Sequence, residues 1–325
     1  MLKVNDLKVY YSVSGGWLRA VDGVSFGLER GETLGLVGES GCGKTSVALA
    51  LMRVLPQNGR IMYGEIMLDG KDITKLSEEE MRRLRWNEIS MIFQAALNAL
   101  DPVHRIGSQL VEVLRAHKEV TKDQAEETVT RLFGMLGIPR SRMQSYPHEF
   151  SGGMKQRAII AMSLLCDPKV IIADEPTTAL DVVVQDQILE KLKQMRKELS
   201  LSMILISHDL SIVAETCSKV AIMYGGKIVE SADAGAIFKY PRHPYTIGLI
   251  RSFPSILGAL RKLTSIPGSP PQLTLPIQGC VYAPRCPIAQ ERCRVEEPAL
   301  LAVDGDHYSR CHYAKQSLIH EVNYA

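Results

Sequence analysis

Apolar and polar positions change rhythm several times along the chain. Leu2 to Tyr11, rich in Val, Leu and Tyr, predicts a strand; Ser14-Gly15-Gly16 interrupts it and Ala20 to Leu28 resumes the extended pattern. Gly31-Glu32 marks a turn. Thr33 to Val37 is a short apolar run closed by glycine, as expected of a strand buried in a parallel sheet. Ser46 to Leu55 reads as a helix ended by Pro56. Between about residues 95 and 168 helical periodicity dominates, in Ile106 to Lys118, Lys122 to Leu136 and Met154 to Cys166, which predicts a helical subdomain inserted into an α/β core. Strand-like runs return at Val170 to Ala173 and Met203 to Ile206, on either side of the helical Gln185 to Leu199. That β-α-β order calls for a parallel sheet. Lys219 to Met223 and Lys227 to Glu230 flank Gly225-Gly226 as a hairpin. Beyond Tyr240 prolines thicken and periodicity fades, so a first domain is expected over 1–238 and a small, irregular, Cys-rich one over 239–325.

Composition narrows the partners. Lys and Arg number 38 against 36 Asp and Glu, a formal charge of +2, without the basic excess that phosphate neutralisation on nucleic acid requires. The best apolar stretch, Ala158 to Cys166, is far short of the ~20 residues of a spanning helix. The first residues carry no secretory signal pattern, so the chain is expected in the cytoplasm. Of seven cysteines, Cys280, Cys286, Cys293 and Cys311 fall close together near the end; in a reducing compartment such a group points to metal or iron–sulfur binding rather than disulfides. Cys166 and Cys217 sit in apolar or helical contexts and are expected in the core.

Three segments carry chemistry. Gly38-Glu39-Ser40-Gly41-Cys42-Gly43-Lys44-Thr45, followed by Ser46, fits G-x-x-x-x-G-K-[ST] between a predicted strand and a predicted helix, the context that motif demands. Its glycines let backbone N–H groups turn inward on a phosphate, the helix start adds its positive dipole end, Lys44 supplies charge to the β- and γ-phosphates, and Thr45 offers a hydroxyl to Mg²⁺. Next, the apolar Val170 to Ala173 ends in Asp174-Glu175, where ligands gather in open α/β sheets. Asp174 is placed to hold Mg²⁺ through water and Glu175 to orient or deprotonate an attacking water. His208 closes Met203 to Ser207 and can bond the γ-phosphate or that water, while Gln94, after Ile89 to Phe93, can reach Mg²⁺. Finally, Ser151-Gly152-Gly153-Met154-Lys155-Gln156-Arg157 opens a helix with Ser151 as N-cap and glycine N–H groups left for an anion.

This ordered set resembles the ATP-binding subunits of ABC transporters over about residues 1 to 235: phosphate loop at 38–45, Gln94 as Q-loop, Phe150-Ser151-Gly152-Gly153-Met154 as signature (with Gln156), Asp174-Glu175, Ala179-Leu180-Asp181 as D-loop, and His208 as switch histidine. The resemblance implies a P-loop core with a mixed sheet, an antiparallel N-terminal β part and an inserted helical subdomain. It implies that Tyr11 stacks on adenine, that Ser40 to Ser46 with Gln94 hold ATP, and that two such domains face head to tail, each signature completing the other's site. The tail segments His243-Pro244-Tyr245-Thr246, Ile266-Pro267-Gly268-Ser269-Pro270-Pro271 and Gly279-Cys280 through Arg285-Cys286-Pro287 look like the extension of oligopeptide/dipeptide importers. In several members four such cysteines are similar to ligands of a [4Fe–4S] cluster. Four thiolates suit a cluster or zinc, and the spacing here, C-x5-C-x6-C-x17-C, leaves the metal open; the cluster is favoured over zinc, and free thiols or disulfides are the remaining alternative.

The same resemblance implies an ATPase driving import, with two transmembrane permease subunits, a second similar ATPase forming a heterodimer, and an extracytoplasmic solute-binding protein. The chain would sit on the cytoplasmic face of the membrane as a peripheral subunit. The implied cargo is oligopeptides or dipeptides, with oligosaccharides as the alternative. A coiled-coil DNA-repair ATPase is a poorer fit because only residues 46–150 lie between loop and signature. A translation-associated ATPase carries two motif sets. A non-transport protein sensing through its iron–sulfur tail is the remaining rival. Two departures from the family pattern stand out: Phe150 in place of leucine, and the less polar Ala95-Ala96-Leu97-Asn98-Ala99-Leu100-Asp101-Pro102 after Gln94.

Overall fold

The computed structural model describes residues 1–94, 99–178, 180–252 and 265–316; Ala95 to Asn98 and Ala179, singled out above, lie outside them. The chain divides into two compact units, Met1–Gly27 with Leu34–Thr74 and Ser207–Ala325, and Leu28–Thr33 with Lys75–Ile206. Among the described residues no helix is long and apolar enough to cross a membrane.

In the first unit β1 (Leu2–Val13) and β2 (Gly16–Leu28) are the two extended segments read from the sequence, β2 beginning four residues earlier than its pattern indicates. β3 (Thr33–Val37) is buried at every position, as a run apolar on both faces must be. It runs through the glycine loop into α1 (Lys44–Met52). That helix starts two residues earlier than its apolar period indicates, because Gly43 in the left-handed region serves as N-cap. It stops before Pro56 because Arg53 (φ 50°) turns left-handed and returns its N–H to Leu49 and Ala50. β4 (Gly59–Leu68) and β5 (Lys71–Asp72) complete an antiparallel sheet of order β2-β1-β4-β5, with Leu2 opposite Leu68.

The second unit opens with α2 (Glu78–Leu84), whose start is closed by a reciprocal Ser77–Glu80 capping box. β6 (Ile89–Ile92) leads to three helices, α3 (Ile106–His117), α4 (Lys122–Met135) and α5 (Gly152–Leu164). α3 buries Ile106, Leu110, Val111 and Leu114 on one face; α4, capped by Thr121 and Gln124, buries Ala125, Val129, Leu132 and Phe133. β7 (Val170–Asp174), α6 (Val182–Leu199) and β8 (Ser202–Ser207) form the expected β-α-β unit, and β8-β7-β6 are parallel, with Ile89 beside Val170 and Val170 beside Ser202.

Back in the first unit, α7 (Leu210–Thr216) precedes the antiparallel hairpin β9 (Lys219–Tyr224) and β10 (Lys227–Asp233). β9 lies parallel to β3, with Leu34 beside Lys219. After α8 (Ala234–Lys239), α9 (Pro244–Arg251) and α10 (Glu291–Val295) come β11 (Leu301–Asp304) and β12 (His307–Ser309). The tail, irregular by periodicity, thus contributes strands, and β12 pairs with β10 through Glu230 and Ser309. Glu230 is wholly buried beneath it. Its carboxylate accepts the N–H groups of Arg242 (2.5 Å) and His243 (3.0 Å) and lies 2.7 Å from His307 Nε2, so the buried charge is met on several sides. Cys166 and Cys217 are buried, as expected.

Candidate functional site

The phosphate loop lies in the first unit between β3 and α1. At Gly43 (φ +107°) a side chain would stand in a strained conformation, and its Cβ would lie 2.1 Å from the carbonyl oxygen of Ala20. The position therefore accepts glycine alone, and this lets the loop turn tightly before Lys44. α1 has no side-chain N-cap and no acidic residue in its first turn, which leaves its first N–H groups and positive dipole end for an anion. Lys44 is buried, and its Nζ donates to the carbonyls of Gly38 (2.7 Å) and Glu39 (3.0 Å) and contacts Cys42 Sγ at 3.7 Å. Ser40, Gly41 and Thr45 are accessible at the loop surface. The Thr45 hydroxyl is an oxygen donor of the hard kind that Mg²⁺ takes. Cys42 is buried, and that burial raises its thiol pKa, so it stays protonated beside the lysine.

Tyr11 is joined to this loop. Its hydroxyl donates to Ser46 Oγ at 3.0 Å, within the first turn of α1, and its ring packs on Gly59, where a Cβ would lie 2.7 Å from Cε1. His208 is exposed directly after β8, and Asp209 behind it caps α7 by accepting from Ser211 and Ile212.

In the second unit, Glu175 stands at the end of β7 beside the buried Asp174. Its backbone is left-handed (φ 48°), an uncommon state for a non-glycine residue. That conformation is held by its N–H donating to Ile206 O (2.9 Å). Oε2 accepts from Gln94 Nε2 (3.0 Å) and Thr178 Oγ1 (2.9 Å), so two neutral donors orient the carboxylate without neutralising it. The structure brings Gln94 and Glu175 together, and Gln94 keeps its amide oxygen, which with the Asp174 carboxylate again suits a hard cation. Nothing in the sequence singles out Thr178, since a threonine in a turn gives no signal by itself.

Ser151 caps α5 by accepting from Met154 N (3.3 Å), and Asp181 caps α6 by accepting from Val184 N (3.0 Å). The two helix starts meet: a Cβ on Gly153 would lie 2.5 Å from Val184 Cγ1, and one on Gly152 3.3 Å from Leu180. Gly152 and Gly153 therefore have a packing reason to be glycine. Gln156 and Phe150 are buried here, and Phe150 is a core side chain.

The four tail cysteines gather in one neighbourhood. Cys280 N–H donates to Cys293 O (2.7 Å). The Cys286 thiol is pushed up to about 12, first by burial and then by the charges of Cys311, Cys280 and Cys293; Cys311 is likewise pushed up to about 12. The set has the number and softness that an iron–sulfur cluster takes. Its arrangement does not match that expectation: among the described residues no group of three or more Cys, His, Asp or Glu is placed to hold a metal ion.

Comparison with known proteins adds an independent line. A family profile described as "ABC transporter" matches residues 21–178, and one described as "Oligopeptide/dipeptide transporter, C-terminal region" matches 229–293. The chain is 44% identical over 324 residues to the oligopeptide transport ATP-binding protein OppD of Bacillus subtilis, covering 98% of this chain and 89% of that one. It is 42% identical over 315 residues to the dipeptide transport ATP-binding protein DppD of Escherichia coli, covering 96% of each. Among solved structures it is similar to cbiO1 from Clostridium perfringens, part of the ABC transporter complex cbiONQ, with a TM-score of 0.65 and 27% identity over 76% of this chain and 94% of that one. A dimeric ATP-binding cassette bound to ADP and Pi has the same fold, with a TM-score of 0.65 at 22% identity, covering 72% of this chain and 99% of that one.

Proposed function

The chain belongs to the ATP-binding subunits of ABC transporters, of the oligopeptide/dipeptide type, and from that premise we propose that it hydrolyses ATP on the cytoplasmic face of a membrane to drive import of short peptides. The observation that carries the ATPase reading is the uncapped start of α1 behind a loop whose glycine cannot be replaced, with Lys44 buried inside it. The peptide reading is supported by the tail profile and by the relatives' printed names.

Each residue then has a task. Backbone N–H groups of residues 40–46 and Lys44 bind the phosphates, and Tyr11 faces the base. Thr45 in the first unit, and Gln94 and Asp174 in the second, would each offer oxygen to Mg²⁺, which would neutralise phosphate charge. Glu175, oriented by Gln94 and Thr178, takes the proton of the attacking water, and His208 donates to the γ-phosphate. Ser151, Gly152 and Gly153 offer N–H groups to the nucleotide of a facing ATPase subunit, with Gln156 and Asp181 beside them. Two permease subunits, a similar ATPase as the second half of a heterodimer, and an extracytoplasmic binding protein complete the importer. For Cys280, Cys286, Cys293 and Cys311 the family resemblance implies a [4Fe–4S] cluster; the thiols suit one in number and softness, their placement does not, and no step above depends on it.

Uptake tests the function. A strain lacking this chain should fail to accumulate a labelled tripeptide, and the wild-type gene, but not Glu175→Gln, should restore it. Unimpaired tripeptide uptake with lost oligosaccharide uptake would transfer the role to the alternative cargo. Protein purified without oxygen should be brown and contain iron and sulfide; colourless protein holding zinc overturns the cluster.

A further inference from the structure

The phosphate loop is gripped from the C-terminal extension, within the first unit, and the grip falls on Glu39. Arg285 sits in a tight turn (Ala283–Arg285) immediately before Cys286, and its side chain is 5% exposed. Its guanidinium meets the Glu39 carboxylate as a fork: one terminal nitrogen donates to Oε2 at 2.7 Å, the other to Oε1 at 3.0 Å. The remaining donors go to Pro267 O (2.7 Å), Ile266 O (3.3 Å) and Tyr224 Oη (3.3 Å). All five N–H groups of the guanidinium are thereby used, which fixes its plane as well as its position.

Glu39 is held at its other end too. Its backbone N–H donates to Tyr245 Oη (2.9 Å), on α9, and Tyr245 is fully buried against Tyr224 and Tyr282, with ring centroids 4.6 and 5.4 Å away. With N–H and carboxylate both pinned by the extension, the Glu39 carbonyl has little freedom, and that carbonyl accepts from Lys44 Nζ. The far side of the loop is anchored separately. Gly226 N–H donates to Cys42 O (3.1 Å), and the neighbouring Gly225 lies under the extension so closely that a Cβ there would stand 2.4 Å from Val281.

We propose that the C-terminal extension sets the nucleotide affinity of this chain, with Arg285 and Tyr245 acting as positioning residues that hold Glu39, and through its carbonyl Lys44, in place for the phosphates. Neither residue touches the reacting atoms. Both act on where the lysine and the loop amides stand before nucleotide arrives, so their removal falls on binding rather than on turnover.

This inference rests on the ATPase reading, and the experiment separates the two. Full-length protein is titrated with Mg-ADP by calorimetry, and KM and kcat for ATP are measured alongside. Arg285→Ala should weaken Mg-ADP binding about tenfold, near 1.4 kcal/mol, and raise KM in step while kcat at saturating ATP stays within about twofold. Tyr245→Phe, which removes a single hydroxyl and leaves the aromatic packing, should weaken it about threefold without lowering the melting temperature. If Arg285 works through Glu39, then adding Glu39→Gln to Arg285→Ala produces no further loss. A role confined to stability would lower the melting temperature or kcat and leave Kd and KM where they were. Wild-type affinity in folded Arg285→Ala and Tyr245→Phe, or fully additive losses in the double variant, overturns the proposal. Wild-type protein that binds no Mg-ADP overturns the ATPase reading instead.

Discussion

Replacing Gly43 by alanine is the most demanding perturbation the loop offers, because two costs coincide there. The first is conformational: φ is +107°, and a non-glycine residue held in such a region costs about 1–3 kcal/mol. The second is steric, since the new Cβ would lie 2.1 Å from Ala20 O. Ala20 cannot simply retreat: it belongs to β2, it is 6% exposed, and Gly226 also lies close to its carbonyl. Forcing a methyl group into such a site costs about 1–3 kcal/mol more. Gly41, in the same loop with φ +79°, has nothing within 4 Å of an added Cβ and so carries the first cost only. The two alanine variants should therefore differ from one another by the steric share, roughly 5- to 150-fold in Mg-ADP affinity if the loop yields, or by several degrees in melting temperature if the fold yields. Calorimetry and thermal unfolding on the same preparations read both. Equal Kd and equal melting temperature for Gly43→Ala and Gly41→Ala would refute the idea that close approach to β2 shapes the loop.

Glu175→Gln keeps the size of the side chain and one acceptor oxygen for Gln94 or Thr178 but cannot take a proton; steady-state assays should show kcat down by about 10²–10⁴ with KM for ATP little changed. Gly153→Ala should destabilise the protein by about 1–3 kcal/mol in urea unfolding, and Val184→Ala in the same chain should recover most of the loss, because the overlap is with Val184 Cγ1. His243 is wholly buried and accepts from Tyr245 N–H through Nδ1, and burial lowers its pKa to about 3. Its folded value lies below its unfolded one, so its contribution is complete above pH ~6.5 and is lost as pH falls toward 3, at about 1.4 kcal/mol per unit. Between pH 7.5 and 5.0 the urea midpoint should fall more steeply in wild type than in His243→Gln; identical slopes would remove this histidine from the acid response.

Much of the fold was legible because local pattern and tertiary fate agree. Thr33 to Val37 is apolar throughout and buried throughout, and Lys122–Met135 is bounded by a capping box that its sequence displays. β4 escaped because its burial alternates imperfectly and Gly64 breaks the period. α2 escaped because Met81 is its single buried residue, so no apolar stripe marks it, although Ser77 and Glu80 spell its start. β12, three residues long, is a strand only because β10 and β11 pair with it on either side. At the site, the glycine loop and the strand-end acids were readable since their chemistry is local. The Glu39–Arg285 fork was not, because nothing in either residue's neighbourhood points to a partner far away in sequence.

Residues 38–45 form the phosphate site on which every other assignment depends. Titrating Mg-ATP into folded wild-type protein and into Lys44→Ala tests this most directly. Saturable binding of one nucleotide per wild-type chain, and its loss in the variant, is the expected result; heat of binding absent from the wild type, or the same in both proteins, contradicts it.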